Sequence, residues 1–123
     1  MQFEAHEIHF AVDSSFVTAA FRGADSHYLI LSRDLQSTEQ DAKLGHDQVY
    51  IELDEQIHST YGGIAFGTLY PERLELALDN SGSGNVGTTT ITVDFSLPPE
   101  RLANLRDVIK SLFDGYRNFA IVP

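Results

Sequence analysis

The sequence contains no cysteine, no tryptophan and only four prolines among its 123 residues. Without cysteine, a disulfide framework is impossible. No apolar run approaches the ~18 residues that a membrane-spanning helix needs, and the first residues lack the basic start and long apolar centre of a secretory signal. We therefore expect a cytoplasmic protein with no membrane partner.

Basic side chains are scarce as well. Eight lysines and arginines stand against eighteen aspartates and glutamates, which gives a formal net charge of −10. Because affinity for a phosphate backbone comes largely from lysine and arginine, we expect no nucleic-acid partner. Residues 98–123 carry four basic and three acidic side chains, a balance of +1, so residues 1–97 carry −11. An acidic surface of that density attracts a basic macromolecule, although solubility alone is an alternative explanation.

The composition otherwise suits one globular domain, residues 1–123. Apolar residues make up 42% of the chain and charged residues 21%, close to ordinary globular usage. A domain of this length buries roughly two-thirds of the surface that its unfolded chain exposes, so a packed core is expected. Seven short runs either alternate or are apolar, and they predict strands at residues 3–12, 16–22, 27–33, 48–54, 64–70, 73–79 and 89–95.

Most connections between these runs are short, which favours antiparallel hairpins over parallel crossovers. Pro98 and Pro99 suit the start of a helix, and Gly115 suits its end. Between them, apolar residues recur at three- and four-residue intervals: Leu102, Leu105, Val108, Ile109, Leu112 and Phe113. The sequence therefore predicts an α+β fold, with a mostly antiparallel sheet of about seven strands and one C-terminal helix packed on one face. Residues 36–44 are predicted to be a loop, and residues 118–122 a short strand or extended tail.

Two patterns resemble known ligand sites. Residues 82–87 match the G-x-G-x-x-G pattern of dinucleotide-binding turns, but a β-branched run follows where that motif needs a helix, so we predict a hairpin loop. His6 and His9 lie beside Glu4 and Glu7, and imidazole and carboxylate both bind zinc. Residues three apart in a regular strand point to opposite faces, however, so a shared site would need a bulge, and surface or core-edge histidines are expected. We expect no metal and no cofactor.

The most informative stretch is DQVYIELDEQIHSTYGGI, at residues 47–64. Its first part alternates as a half-buried strand does, with Val49, Ile51 and Leu53 on one face. The opposite face and the following turn carry acidic, histidine and tyrosine side chains: Tyr50, Glu52, Asp54, Glu55, His58 and Tyr61. Tyrosines are common interface anchors, and polar loops often bind partners. We therefore predict that these six residues contact a partner.

An enzymatic alternative uses some of the same residues. His58 with Asp54 or Glu55 would act as a general base and its orienting carboxylate in a small hydrolase or metal-dependent enzyme. No cysteine, G-x-S-x-G elbow or evident oxyanion hole accompanies them, which leaves the nucleophile unassigned. A small-molecule binding module is a third alternative, and a deep apolar cavity between sheet and helix would support it.

Three segments follow one another in a recognisable order: YIELDEQIHSTYGGI at residues 50–64, RLELALD at residues 73–79 and ITVDFSLPPERLANLRDVIKSLF at residues 91–113. Together with the N-terminal strands, the YLILSR run and residues 39–45, they resemble the immunity protein 10 family of bacterial polymorphic toxin systems. The sequence departs from the family pattern in two places. The loop at residues 81–87 is expanded, and Pro98-Pro99 stands where acidic residues usually lead the helix.

The resemblance implies a non-enzymatic protein that binds and neutralises a cognate toxin C-terminal domain in the cytoplasm of the producing or a neighbouring cell. A toxin that attacks nucleic acid tends to be basic, so a basic nuclease would suit an acidic surface. The six residues named above would then cover or distort the toxin's active site. The family is equally compatible with an NADase, deaminase or peptidase toxin.

Overall fold

Nine strands and two helices occur in residues 1–36 and 47–123, which are the residues that this computed structural model describes. The strands are β1 (Gln2–Val12), β2 (Phe16–Gly23), β3 (Tyr28–Asp34), β4 (Tyr50–Leu53), β5 (Glu55–Tyr61), β6 (Ile64–Tyr70), β7 (Arg73–Leu78), β8 (Thr90–Asp94) and β9 (Phe119–Ile121). The helices are α1 (Asn80–Val86) and α2 (Pro99–Leu112). No helix in these residues is long and apolar enough to cross a membrane. The loop predicted at residues 36–44 lies outside the described residues from residue 37 onwards.

The strands form one sheet in the order β5-β4-β3-β2-β1-β8-β7-β6-β9. The β1–β8 and β6–β9 pairs are parallel, and the other neighbours are antiparallel. The α+β class and the seven predicted strands are confirmed. The prediction of a mostly antiparallel sheet of about seven strands with one helix is wrong, because the described residues form a mixed sheet of nine strands with two helices. Both parallel pairs join segments that are distant in sequence, so no local pattern indicates them.

Strand β1 belongs to both halves of the sheet. Residues 2–4 run parallel to β8, whereas the residues from Ala5 onwards run antiparallel to β2. Within the pairing with β2, just after the change of partner, a bulge lies between Ala5 and Glu7. Phe3 and Ala5 are buried before the bulge and Ile8 after it, so the inward positions change from odd to even. One strand therefore joins two half-sheets, the first made of β1–β5 and the second of β1, β8, β7, β6 and β9.

Helix α2 packs on the inner face of the first half-sheet, against β1, β2 and β3. Its buried stripe consists of Leu105, Val108, Ile109 and Leu112. The inward side chains of the sheet around this core are fully buried and include Val17, Phe21, Leu29, Leu31 and Ile51. Near the start of the helix, Arg101 donates from Nη2 to the Ile8 carbonyl oxygen at 2.7 Å, just after the bulge of β1. The predicted amphipathic helix is thus confirmed.

The C-terminal end of α2 is attached to the strands that carry the candidate site. Arg33 on β3 donates from Nη1 to the Leu112 carbonyl oxygen at 3.0 Å, where the helix end carries a partial negative charge, and to the Asp114 carbonyl oxygen just beyond it at 2.7 Å. Arg33 Nε also donates to the Asp47 carbonyl oxygen at 3.1 Å. The Val49 N–H donates to the Tyr116 hydroxyl at 3.1 Å, immediately before β4. These contacts fix the start of β4 against the core.

The hairpin loop predicted at residues 82–87 is wrong, because most of this segment belongs to α1. Asp79 caps the helix by accepting a hydrogen bond from the Gly82 N–H at 2.8 Å. Gly87 ends the helix in the left-handed conformation, with φ of 92°. Glycine and serine have poor helix propensity, so tertiary contacts must stabilise this helix. The strand predicted after it is confirmed as β8.

A close backbone contact between α1 and the β5–β6 turn requires glycine on both sides. The Gly63 carbonyl oxygen accepts from the Asp79 N–H at 2.9 Å. A Cβ added to Gly63, where φ is 80°, would lie 2.7 Å from the Gly82 Cα, and a Cβ added to Gly82 would collide with the Gly63 carbonyl. On the same side, Asn85 Nδ2 donates to Thr60 Oγ1 at 3.3 Å. Helix α1 therefore packs against the edge strand β5.

We predict that Gly82→Ala destabilises the protein by about 1–3 kcal/mol, because the new methyl group meets backbone atoms that cannot rotate away. Gly84→Ala is the matched control in the same helix, since nothing lies within 4 Å of its added Cβ. The control should be neutral or stabilising by up to about 1 kcal/mol. Urea unfolding measures the free energy of unfolding of both variants. Equal values for Gly82→Ala and Gly84→Ala would contradict the close contact between Gly82 and Gly63.

Candidate functional site

The six predicted site residues lie on β4, on β5 and at the turn between them. The segment after β4 was predicted to be a turn, and that prediction is wrong because Glu55–Tyr61 form β5 at one edge of the sheet. Tyr50 and Glu52 lie on the outer face of β4. Tyr61 is the cross-strand partner of Tyr50, and their ring centroids are 5.2 Å apart. The structure therefore brings both tyrosines and Glu52 to one surface.

Glu52 is held by two tyrosines. Tyr28 on β3 donates from its hydroxyl to Glu52 Oε2 at 2.6 Å, and Tyr50 donates from its hydroxyl to Glu52 Oε1 at 2.6 Å. All three residues are half-buried. Short hydrogen bonds to an ionised acceptor are stronger than those between neutral groups. Tyr28, Tyr50 and Glu52 thus form a connected group, which we name the tyrosine–glutamate cluster.

The carboxylate changes the acidity of both tyrosines. The hydrogen bond to Glu52 raises the pKa of Tyr28 to about 12, and partial burial adds to the effect. Burial raises the pKa of Tyr50, and its hydrogen bond to Glu52 is the next cause. Ionising either phenol would place a second negative charge beside Glu52, so the neutral phenols are favoured. The cluster therefore fixes a single negative charge on the outer face of the sheet.

Asp54 joins two turns at the same end of the sheet. Its φ of 64° lies in the left-handed region, which aspartate tolerates better than most residues do. Asp54 Oδ1 accepts from the Tyr28 N–H at 3.0 Å, and Oδ2 lies 3.2 Å from His27 Nδ1. The Asp54 N–H donates in turn to the Tyr28 carbonyl oxygen at 3.0 Å. Asp54 thus attaches the β4–β5 turn to the start of β3.

Strand β5 carries a bulge directly after this turn. Between two successive cross-strand pairs the register advances by one residue on β4 and by four on β5, so residues 56–58 have no counterpart on β4. Ser59 Oγ donates to the Gln56 carbonyl oxygen at 2.7 Å across the bulge. Glu55 and Ile57 are exposed. We name residues 54–58 the β5 tip.

The enzymatic alternative needs His58 to meet Asp54 or Glu55. Both carboxylate oxygens of Asp54 are engaged elsewhere, by His27 and by the backbone of Tyr28. Asp54 therefore serves to position two turns, which is a structural role. Within residues 1–36 and 47–123, no group of three or more histidine, aspartate or glutamate side chains is arranged to hold a metal ion.

An open groove lies beside the tyrosine pair. Its volume is about 600 Å³, and it is lined by Ser15, Phe16, Ser32, Arg33, Asp34, Tyr50 and Tyr61. The groove mixes aromatic, hydroxyl and charged groups. It therefore extends the outer face of β4 as a concave surface of mixed polarity with aromatic walls.

His6 and His9 both lie on the outer face of β1, because the bulge between Ala5 and Glu7 shifts the alternation of the strand. His6 Nδ1 lies 3.8 Å from Glu4 Oε1, and His9 Nε2 lies 3.4 Å from Glu7 Oε2. Both imidazoles are mostly exposed. The expectation that these two histidines point to opposite faces is therefore wrong, whereas their predicted location at the surface is confirmed, each beside a neighbouring glutamate.

Three residues of this surface were missed by the sequence analysis. Tyr28 and His27 come from a different strand, and only the pairing of β3 with β4 brings them to the acidic residues. The third is Ile57. An isoleucine within an otherwise polar segment was the available signal for it.

Comparison with known families gives a match over most of the chain. The family model described as Immunity protein 10 matches residues 4–103, which are 100 of the 123 residues. The matched region runs from β1 into α2 and includes all six predicted site residues. The resemblance seen in the sequence is therefore confirmed. No curated protein matches the chain.

We predict that Tyr28→Phe lowers the free energy of unfolding by about 1 kcal/mol at neutral pH, because Glu52 loses one of its two donors. Tyr28 has a higher pKa in the folded protein than in the unfolded chain. Its contribution is therefore complete below about pH 10 and is lost as the pH rises to about 12. Urea unfolding across this pH interval should show that the difference in unfolding free energy between wild type and Tyr28→Phe decreases as the pH rises.

The control for this measurement is Tyr70→Phe. The Tyr70 hydroxyl has no hydrogen-bond partner among the described residues, so its removal should cost little stability at any of these pH values. A gap between wild type and Tyr28→Phe that stayed constant up to high pH would contradict the assigned hydrogen bond.

Proposed function

The chain belongs to the immunity protein 10 family, and we propose that it binds and neutralises a cognate polymorphic toxin domain. Family membership is the observation that carries this proposal. In this proposal, residues 1–123 form one binding domain. The protein acts as a stoichiometric inhibitor without enzymatic activity, in the cytoplasm of the cell that it protects.

We assign the binding surface to the outer face of β4 and the adjoining β5 tip. The six residues of the site are Tyr50, Glu52, Asp54, Glu55, His58 and Tyr61. No lysine or arginine occurs from residue 44 to residue 72, so no permanently charged cation in this segment neutralises its carboxylates. The local charge supports an acidic binding surface.

The hydrogen bonds of the site support different roles for its acidic residues. The oxygens of Glu52 and Asp54 are engaged by neighbouring groups, so these residues shape the surface and fix negative charge on it. Glu55 is exposed and makes a direct ion pair with the partner in this proposal. Tyr50 and Tyr61 supply contact area at a low cost in side-chain entropy.

Charge complementarity favours a basic partner. The formal net charge of −10 would attract a basic domain over distances of about a Debye length and raise its association rate. A toxin domain that cleaves nucleic acid needs lysine and arginine for its phosphate contacts. A nuclease domain is therefore the toxin class that we propose for this protein.

We predict that Glu55→Lys weakens binding of the toxin domain encoded beside this gene by about tenfold at low salt, which is about 1.4 kcal/mol. Glu72→Lys is the matched control, because it makes the same charge change at an exposed glutamate between β6 and β7. Calorimetric titration of each variant at low and high salt measures the difference. The effect of Glu55→Lys should shrink at high salt, since mobile ions screen exposed charges.

Two outcomes of this experiment would contradict different parts of the proposal. Equal weakening by both substitutions would show that only net charge matters and would contradict the assigned surface. Failure of the wild-type protein to form a complex would overturn the proposed function. Asp54→Lys is unsuitable as a probe of charge, because it also removes the hydrogen bonds to Tyr28 and His27.

A further inference from the structure

Ile57 has the highest exposure of any large apolar side chain that the structure describes. Its exposed fraction is 77%, compared with 61% for Phe66 and 54% for Val12. Apolar area left in water adds nothing to folding stability. Ile57 lies in the bulge of β5, among residues that have no counterpart on β4. Its position therefore results from the bulge rather than from packing in the core.

The surroundings of Ile57 are polar and acidic. Glu55 and Gln56 are exposed, and His58 is half-buried. Asp54 adds a second carboxylate at the turn. An apolar side chain at the centre of a polar rim is the usual arrangement of an interface anchor. Because this rim carries negative charge, a complementary surface would be apolar at its centre and basic around it.

The β5 tip is held in shape at both ends. Asp54 attaches it to β3 through the backbone of Tyr28 and the His27 ring. Ser59 Oγ closes the bulge on the Gln56 carbonyl oxygen. A segment that is already ordered loses less conformational entropy when it binds. The tip can therefore present one apolar side chain in a defined position.

We infer that Ile57 is an anchor that inserts into an apolar pocket of the toxin domain, and that basic side chains border this pocket. The inference rests on the proposed function and adds the source of the affinity. Burial of the isoleucine slows dissociation, whereas the acidic rim mainly speeds association.

The test measures association and dissociation rates of the full chain with the toxin domain. Ile57→Ala should weaken binding roughly 10- to 100-fold, mainly through faster dissociation, because most of the buried apolar area is lost. Ile57→Leu keeps that area and should stay within roughly fivefold of wild type. Phe66→Ala is the matched control, since it truncates an exposed apolar side chain on β6, in the other half-sheet, and should leave binding unchanged.

Urea unfolding of each variant separates binding from folding, because the exposure of Ile57 predicts an unchanged unfolding midpoint for Ile57→Ala. Wild-type affinity in Ile57→Ala would overturn the inference and leave the proposed function intact. Equal weakening by Phe66→Ala would overturn the inference as well. No complex with the wild-type protein would overturn both.

Discussion

The rest of the structure depends on the double pairing of β1. Residues 2–4 pair with β8 and the later residues pair with β2, so one strand carries hydrogen bonds from both half-sheets. The bulge that follows, between Ala5 and Glu7, keeps the apolar side chains before and after it directed into one core. On the outer face, Asp94 accepts from Gln2 Nε2 at 2.8 Å and from Arg73 Nε at 2.9 Å, and these donors lower the pKa of Asp94. Polar contacts thus join β1, β8 and β7 above the same core.

The position of the candidate site is determined by how β5, the edge strand of the sheet, is held at its two ends. The two-residue turn after β5 leads directly into β6, which lies near the opposite end of the strand order, and α1 packs against β5 beside that turn. Asp54 attaches the other end of β5 to β3. The β5 tip between these attachments exposes Glu55 and Ile57. A rigid frame with an exposed tip suits an inhibitor that binds with little change of backbone conformation.

Local sequence patterns predicted the elements whose conformation is determined by burial of one face. The alternation that identified β4 and the apolar stripe that identified α2 both reflect burial of one face. Strand β5 gave no such pattern, because it is a bulged edge strand whose side chains are mostly exposed. Helix α1 was missed because Gly82, a poor helix former, is required there by its contact with Gly63. At the site, the sequence indicated Glu52 correctly as a surface group, but its partner Tyr28 depends on the pairing of β3 with β4.

The most direct test of the β5 tip as the binding surface is hydrogen–deuterium exchange of the protein alone and in complex with its toxin domain. We predict slower exchange of the backbone amides of residues 55–59 in the complex, because the partner would exclude water from the bulge. Exchange in the β6–β7 turn should change little. Unchanged exchange at residues 55–59, with protection confined to another surface such as the outer face of β7 and β8, would contradict the assigned interface.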